Sequence, residues 1–289
     1  METDRVTIEA PPKLSDGRMV LAFTGWMDGG DVSTGTVEWL ARTHGARRVG
    51  VIDPEGFYIC GFPGTMEISA LFRPYVEIVD GQIRALREPA NIFYSADRNQ
   101  LLLFTGREPN LNWRAFADRI LSFASQAGVR RMYFVGSYAG MVPHTREPRL
   151  ASAVSDPAMK AELAACGIRF TSYEGPASFA TYLMTRAGHY GLSMASLVAE
   201  IPAYVQGANP KCIEAVVRKV AAILGLHVRF DDLGSLTEAW EQRLSEALQD
   251  KQELHDLIGK MEESYDNEVF DTQMGDLKEW LEQKGVRLD

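Results

Sequence analysis

An unbroken apolar run, a glycine-rich loop and an amphipathic helix follow one another across residues 18–45, and a second apolar run comes straight after at 48–52. The first run is Arg18-Met19-Val20-Leu21-Ala22-Phe23. It does not alternate apolar with polar, so it reads as a strand covered on both faces. The loop is Gly25-Trp26-Met27-Asp28-Gly29-Gly30. A helix is predicted from an N-cap at Asp31, with Val32, Thr36, Val37 and Leu40 on its inner face and Gly45 as its stop. Strand, helix and strand in this order predict a right-handed parallel crossover.

The same alternation recurs. Leu101-Leu102-Leu103-Phe104 reads as a strand, and Trp113, Phe116, Ile120 and Phe123 mark one face of a helix that stops at Gly128. The strand Met132-Tyr133-Phe134-Val135 follows. Further units are a helix at 157–166 with a strand at 168–172, a helix at 177–190, and a last strand at 194–201. Asn209-Pro210 supplies an N-cap and a proline at the first helical position, and Gly225 closes that helix. Together these predict an α/β fold, a three-layer α/β/α sandwich with helices on both faces of one sheet. One segment breaks the pattern. Residues 76–86 alternate apolar with polar around Asp80-Gly81, a hairpin signal, expected to add antiparallel strands at the sheet edge.

After Phe230 the strands stop. Leu236, Trp240, Leu244 and Leu248 form one helical stripe, and Leu254, Leu257, Ile258 and Met261 a second, which predicts two antiparallel helices. Trp280 and Leu281 fall on a final short helix. The domain reading is therefore 1–230 for an α/β/α core and 231–289 for an acidic helical extension. Residues 231–289 hold 17 acidic and 6 basic side chains, against 22 and 24 in the first 230. An acidic surface of this kind disfavours nucleic acid and anionic membranes as partners. No apolar run approaches the roughly 18 residues of a membrane span, and the acidic N-terminus does not read as a secretory signal. Cys60, Cys166 and Cys212 are odd in number and far apart, which suits a reducing cytoplasm and no metal site.

Polar groups gather in the loops after the strands, where open α/β sheets place their binding crevices. The 25–30 loop ahead of a helix N-terminus offers backbone N–H groups to an anion, although it is neither a P-loop nor a GxGxxG. Met141-Val142-Pro143-His144-Thr145-Arg146-Glu147-Pro148 follows the strand at 132–135. There His144 is either an acid/base group or a loop strut, and Arg146 either binds a ligand or forms a structural ion pair. Tyr173-Glu174-Gly175-Pro176 is expected on the same rim, with Glu174 in reach of His144 or Arg146. The candidate ligand rim is thus Gly25, Asp28, Gly29, His144, Thr145, Arg146, Glu174 and Gly175. No catalytic residue is assigned: Gly-x-Ser-x-Gly, HExxH and cysteine clusters are all missing, and no cofactor is implied.

Several of these segments, taken in order, resemble the proteasome assembly chaperone 2 family in its bacterial and archaeal branch. They are Gly25-Trp26-Met27-Asp28-Gly29-Gly30, Arg73-Pro74, Gly106-Arg107-Glu108-Pro109 with Trp113 and Phe116, Pro143-His144-Thr145-Arg146, Tyr173-Glu174-Gly175-Pro176 and Ile201-Pro202-Ala203-Tyr204-Val205. The resemblance covers about residues 18–230. It implies a phosphorylase/hydrolase-like core, a homo-oligomer and a cytoplasmic location. Some members dock on the proteasome through a terminal hydrophobic–Tyr–any sequence. The residues here are Val286-Arg287-Leu288-Asp289, so that mode of docking is not expected. Two functions remain in view: a non-enzymatic oligomeric scaffold or assembly factor for a protein client, and a small-ligand-binding or hydrolase/phosphorylase-like protein using Asp28, His144 and Glu174.

Overall fold

The long apolar runs do become strands buried on both faces, and the side-chain period of two sorts each run between two cores. In the computed structural model, which describes residues 6–8, 12–248 and 251–283, strand β2 (Gly17–Thr24) sends Met19, Leu21 and Phe23 to one core and Val20 and Ala22 to the other. Strands β7 (Leu101–Arg107) and β8 (Val129–Gly140) divide in the same way. The first core is filled by helices α3 (Trp113–Gln126) and α5 (Phe179–Ala187). The second is filled by α1 (Val32–Thr43) and α6 (Pro210–Leu224). Helices on both faces make the α/β/α sandwich expected from the sequence. At the centre of the first core Phe23 meets Phe104, Phe134 and Phe179 at ring-centroid distances of 5.6, 6.1 and 5.2 Å. Truncating such a ring to alanine costs about 3–5 kcal/mol.

The remaining strands are β1 (Val6–Ile8), β3 (Arg47–Ile52), β4 (Tyr75–Val79), β5 (Gln82–Arg87), β6 (Asn91–Ala96), β9 (Leu150–Ser152), β10 (Arg169–Phe170) and β11 (Ser193–Pro202). Among the described residues nine strands form one mixed sheet in the order β1-β3-β6-β7-β2-β8-β11-β9-β10. The four middle strands, β7, β2, β8 and β11, run parallel. Strand β3 runs in the direction of β2, as a crossover requires, but does not pair with it. Two strands, β7 and the unanticipated β6, lie between, with β6 antiparallel to both of its neighbours.

The hairpin forms at its predicted turn, with Asp80 at φ 50° and Gly81 at φ 71°, the two left-handed residues of a type I′ turn. It does not extend the large sheet, however. Among the described residues strands β4 and β5 pair only with each other, and β6, just after them, takes the place in the sheet. Short helix α2 (Met66–Ala70) precedes the hairpin and α4 (Ala158–Ala165) precedes β10.

The tail consists of α7 (Asp231–Leu248) and α8 (Gln252–Gln283). Helix α8 continues through the position of Trp280, so the expected final short helix is part of one long helix. The tail buries Leu233, Leu248, Ile258 and Met261, and Trp39 of α1 stacks on Phe230 at 5.8 Å. Residues 286–289 and the first five residues lie outside the described residues.

Candidate functional site

Asp28 decides how the first loop is built. Helix α1 begins at Val32, but Asp31 takes a left-handed conformation and makes no side-chain cap. Asp28 caps the helix instead: Oδ1 accepts from the Thr34 amide at 3.0 Å and Oδ2 from the Thr34 hydroxyl at 2.8 Å. The helix start that sequence reasoning offered to an anion therefore already holds a carboxylate of the chain itself. Burial raises the Asp28 pKa to about 6 against the pull of these hydrogen bonds.

The rest of the loop folds back over the sheet. Ser137 of β8 donates its N–H to the Met27 carbonyl at 2.8 Å and its hydroxyl to the Gly29 carbonyl at 2.6 Å. Asp28 and Ser137 form a parallel bridge, so the loop closes the crevice between the carboxyl ends of β2 and β8. Glycine is needed at position 30, where φ is 64° and a Cβ would lie 2.9 Å from Asn209 Cβ; a Cβ on Gly29 would meet only the movable end of Ile201, Cδ1 at 2.8 Å. Asn209 in turn donates its N–H to the Gly30 carbonyl at 2.8 Å, and its side chain caps α6 by accepting from the Cys212 amide at 3.0 Å.

His144 reaches the same helix start from the other side. Its carbonyl accepts from Lys211 Nζ at 2.8 Å, and Lys211 also pairs with Glu241 of α7 at 2.7 Å. The His144 amide donates to the Tyr204 hydroxyl at 2.8 Å, and Nδ1 lies 2.7 Å from the same oxygen. The hydroxyl donates to Nδ1 or accepts from it according to the ring's tautomer. Burial, then the Lys211 charge, lowers the His144 pKa and favours the neutral ring. The space among Val142, Pro143, His144, Asn209, Lys211 and Trp240 is about 10 Å³, roughly one water at most.

Thr145 and Arg146 face the tail. The Thr145 hydroxyl bonds the Glu262 carboxylate. Arg146 forks onto Asp266 at 2.8 and 2.7 Å and reaches Glu262 at 3.3 Å. Arg149 meets Glu268 at 2.6 Å and lies over the Tyr265 ring at 4.1 Å. Of the two readings of Arg146, the ion pair is the one present.

Glu174 and Gly175 do not join this group. Glu174 is exposed in the loop leading to α5, on the α3/α5 side of the sheet, whereas His144 packs with α6 and α7 on the other. The partners of His144 are Tyr204 and Lys211, and those of Arg146 are Asp266 and Glu262, with Glu174 among neither. A different carboxylate ties the rim together on the α5 side. Glu108 accepts from the Phe179 amide at 2.7 Å and from the Trp26 amide at 3.3 Å, joining α5 to the first loop. Beside it an open cleft of about 440 Å³ is lined by Thr24, Gly25, Trp26, Arg107, Glu108 and Trp113. Glu108, Tyr204 and Lys211 were not singled out from the sequence as site residues; the first two lie within segments that carried the resemblance.

The model of the PAC2 family matches residues 22–248 of this chain, which include every residue of the rim. The chain belongs to the PAC2 family. Among solved structures, this PAC2 protein is similar to a Mycobacterium tuberculosis proteasome-assembly chaperone homologue, with 29% identity, a TM-score of 0.71, and 83% of this chain and 99% of that one covered. It is also similar to a PAC2 family protein from Streptomyces avermitilis, with 27% identity, a TM-score of 0.67, and 80% and 95% covered. A Mycobacterium tuberculosis protein of unknown function shares the fold over 96% of this chain and 94% of its own, with a TM-score of 0.82 and 18% identity. No curated protein matches the chain. No helix among the described residues is long and apolar enough to cross a membrane.

Proposed function

We propose that this PAC2 protein is a non-enzymatic scaffold or assembly factor, a cytoplasmic homo-oligomer that holds a protein client. Its likeness to a proteasome-assembly chaperone homologue supports a chaperone-like role. The observation that carries the non-enzymatic part is the use of the rim inside the fold. Asp28 caps a helix, His144 is bonded to Tyr204, and Arg146 is bonded to the tail. Three of the polar groups that would serve chemistry, Asp28, His144 and Arg146, are thus already engaged within the fold. In this reading residues 1–230 form the core, and the acidic extension at 231–289 is pinned to it by the 144–149 loop.

The second reading, a small-ligand-binding or hydrolase/phosphorylase-like protein, draws on the open cleft at the ends of β2 and β7. A thermal-shift screen with nucleotides, nucleosides and inorganic phosphate separates the two. The scaffold reading expects no compound to raise the melting temperature. A saturable shift abolished by Asp28→Asn or His144→Gln, with the fold retained, would overturn it.

A further inference from the structure

We infer that the open trough across the carboxyl ends of β7 and β2 seats a short extended segment of the protein client, one that carries carboxylates spaced among apolar side chains. The inference rests on the scaffold reading above and assigns the client's contact. Topology opens the trough. Strands β2 and β7 are neighbours, with Thr24 paired to Arg107, and the chain leaves them in opposite directions. Strand β2 feeds α1 on one face of the sheet, and β7 feeds α3 on the other. Open α/β sheets bind their ligands at such a divergence. The crevice on the other side of β2 is closed, because the first loop bonds to Ser137 of β8 across it.

Two clefts make up the trough. One of about 480 Å³ lies on the α1 side, and one of about 440 Å³ on the α3 side. Thr24, Ile59 and Arg107 line both, so the two form one channel with Arg107 at its middle. Arg73 and Arg87 line the first cleft as well. Among the described residues none of these three guanidiniums is in an ion pair. Arg107 is steadied by the Leu71 carbonyl at 3.2 Å and the Tyr58 ring at 6.0 Å, and Arg87 by the Tyr75 ring at 5.1 Å. Contact through a ring face consumes no N–H donor. The guanidinium forks are thus held in place with donors to spare, and such a fork matches a carboxylate.

The acidic groups of the trough set the kind of segment it takes. Glu108 is engaged by the Trp26 and Phe179 amides. Glu38 and Glu88 line the first cleft without pairing with its arginines. They oppose an unbroken acidic run, so the carboxylates that fit are separated ones. The walls between are apolar, with Tyr58 and Tyr94 in the first cleft and Trp26 and Trp113 in the second. Trp26 is 60% exposed, and tryptophan and arginine are the side chains enriched at binding hot spots. A small molecule is enclosed over most of its surface by its pocket, whereas Arg73, Arg87 and Trp26 are all exposed. An extended chain sends alternate side chains to opposite sides, so it can meet guanidiniums and rings together. Crossing the ends of β6, β7 and β2 with the loops beside them takes about six such residues, ~20 Å.

The test titrates the full chain into a fluorescent peptide of about eight residues (~27 Å extended) that alternates glutamate with leucine and tyrosine, and reads anisotropy. The control peptide has glutamine at every glutamate. The variants are Arg107→Gln and the double Arg73→Gln/Arg87→Gln, with circular dichroism as the folding control. The expected result is saturable binding of the glutamate peptide, weakened at least ~tenfold by the control sequence and by each variant. No saturable binding, or binding unchanged in the control peptide or the folded variants, overturns the inference and leaves the scaffold reading standing. Peptide binding that falls as the chain is concentrated gives the trough to a second copy and overturns the inference alone. Displacement of the peptide by inorganic phosphate or AMP puts a small anion there and overturns both. Should Arg107→Gln not fold, the double variant decides, because Arg73 and Arg87 are exposed.

Discussion

The Tyr204 hydroxyl holds both the main chain and the ring of His144, at 2.8 Å from the amide nitrogen and 2.7 Å from Nδ1. One side chain thus satisfies two buried groups of the 143–148 loop. Tyr204→Phe leaves both without a partner, and the expected loss is about 2–3 kcal/mol. Urea unfolding at pH 7.5 measures it. A loss under about 0.5 kcal/mol, within the range of an ordinary surface change, contradicts the strut role.

The same pair sets a pH dependence. The fold keeps His144 neutral by lowering its pKa, while the unfolded chain takes up its proton near pH ~6.5. Below that pH the unfolded state binds more protons, so the His144 contribution to stability is present above pH ~6.5 and declines as pH falls. His144→Gln removes this component, and unfolding curves at pH 7.5 and 5.5 should lie closer together for the variant. An equal or larger separation contradicts it.

Asp28 acts with the opposite sign. Its pKa rises from 3.8 to about 6 in the fold, so its contribution weakens as pH rises through that window and is least favourable at neutral pH. Asp28→Asn keeps an acceptor for the Thr34 amide and removes the charge. It should raise the stability at pH 7.5 by on the order of 1 kcal/mol, and the gain should vanish near pH 4. A variant less stable at pH 7.5 shows that the cap needs the charge more than burial opposes it.

How much of this could be read from residues alone depends on how local the cause is. Helix α6 was predicted at both ends because Asn209, Pro210 and Gly225 act on their own neighbours. The Asp80-Gly81 turn was predicted for the same reason. Pairing partners are not local. Two strands separate β3 from β2, and one of them, β6, owes its place partly to buried Asn91, which bonds Tyr58 at 2.7 Å and the Arg107 amide at 3.2 Å. The rim divides likewise. Polar residues in the strand-end loops were visible, but the partner of His144 lies 60 residues away and that of Arg146 is 120 away. Nothing in a local pattern pointed Glu174 away from both.

Ion pairs hold the tail to the core alongside buried Ile258 and Met261. Arg146 with Asp266 and Arg149 with Glu268 are partly exposed, where one pair contributes about 0–1 kcal/mol and salt screens it. Raising salt from 50 to 500 mM should speed amide exchange in 258–268, while β2 and β8 stay unchanged (a span over which the Debye length falls from roughly 14 to 4 Å). Arg146→Glu should do the same at low salt. Exchange in 258–268 that ignores both changes would show that Ile258 and Met261 hold the helix without the ion pairs.

The native mass of the full chain in solution tests the scaffold account most directly. At 32.1 kDa per chain, sedimentation equilibrium at micromolar concentration should return at least twice that mass. A value of 32.1 kDa at every concentration would contradict the account, which has the chain act as a homo-oligomer.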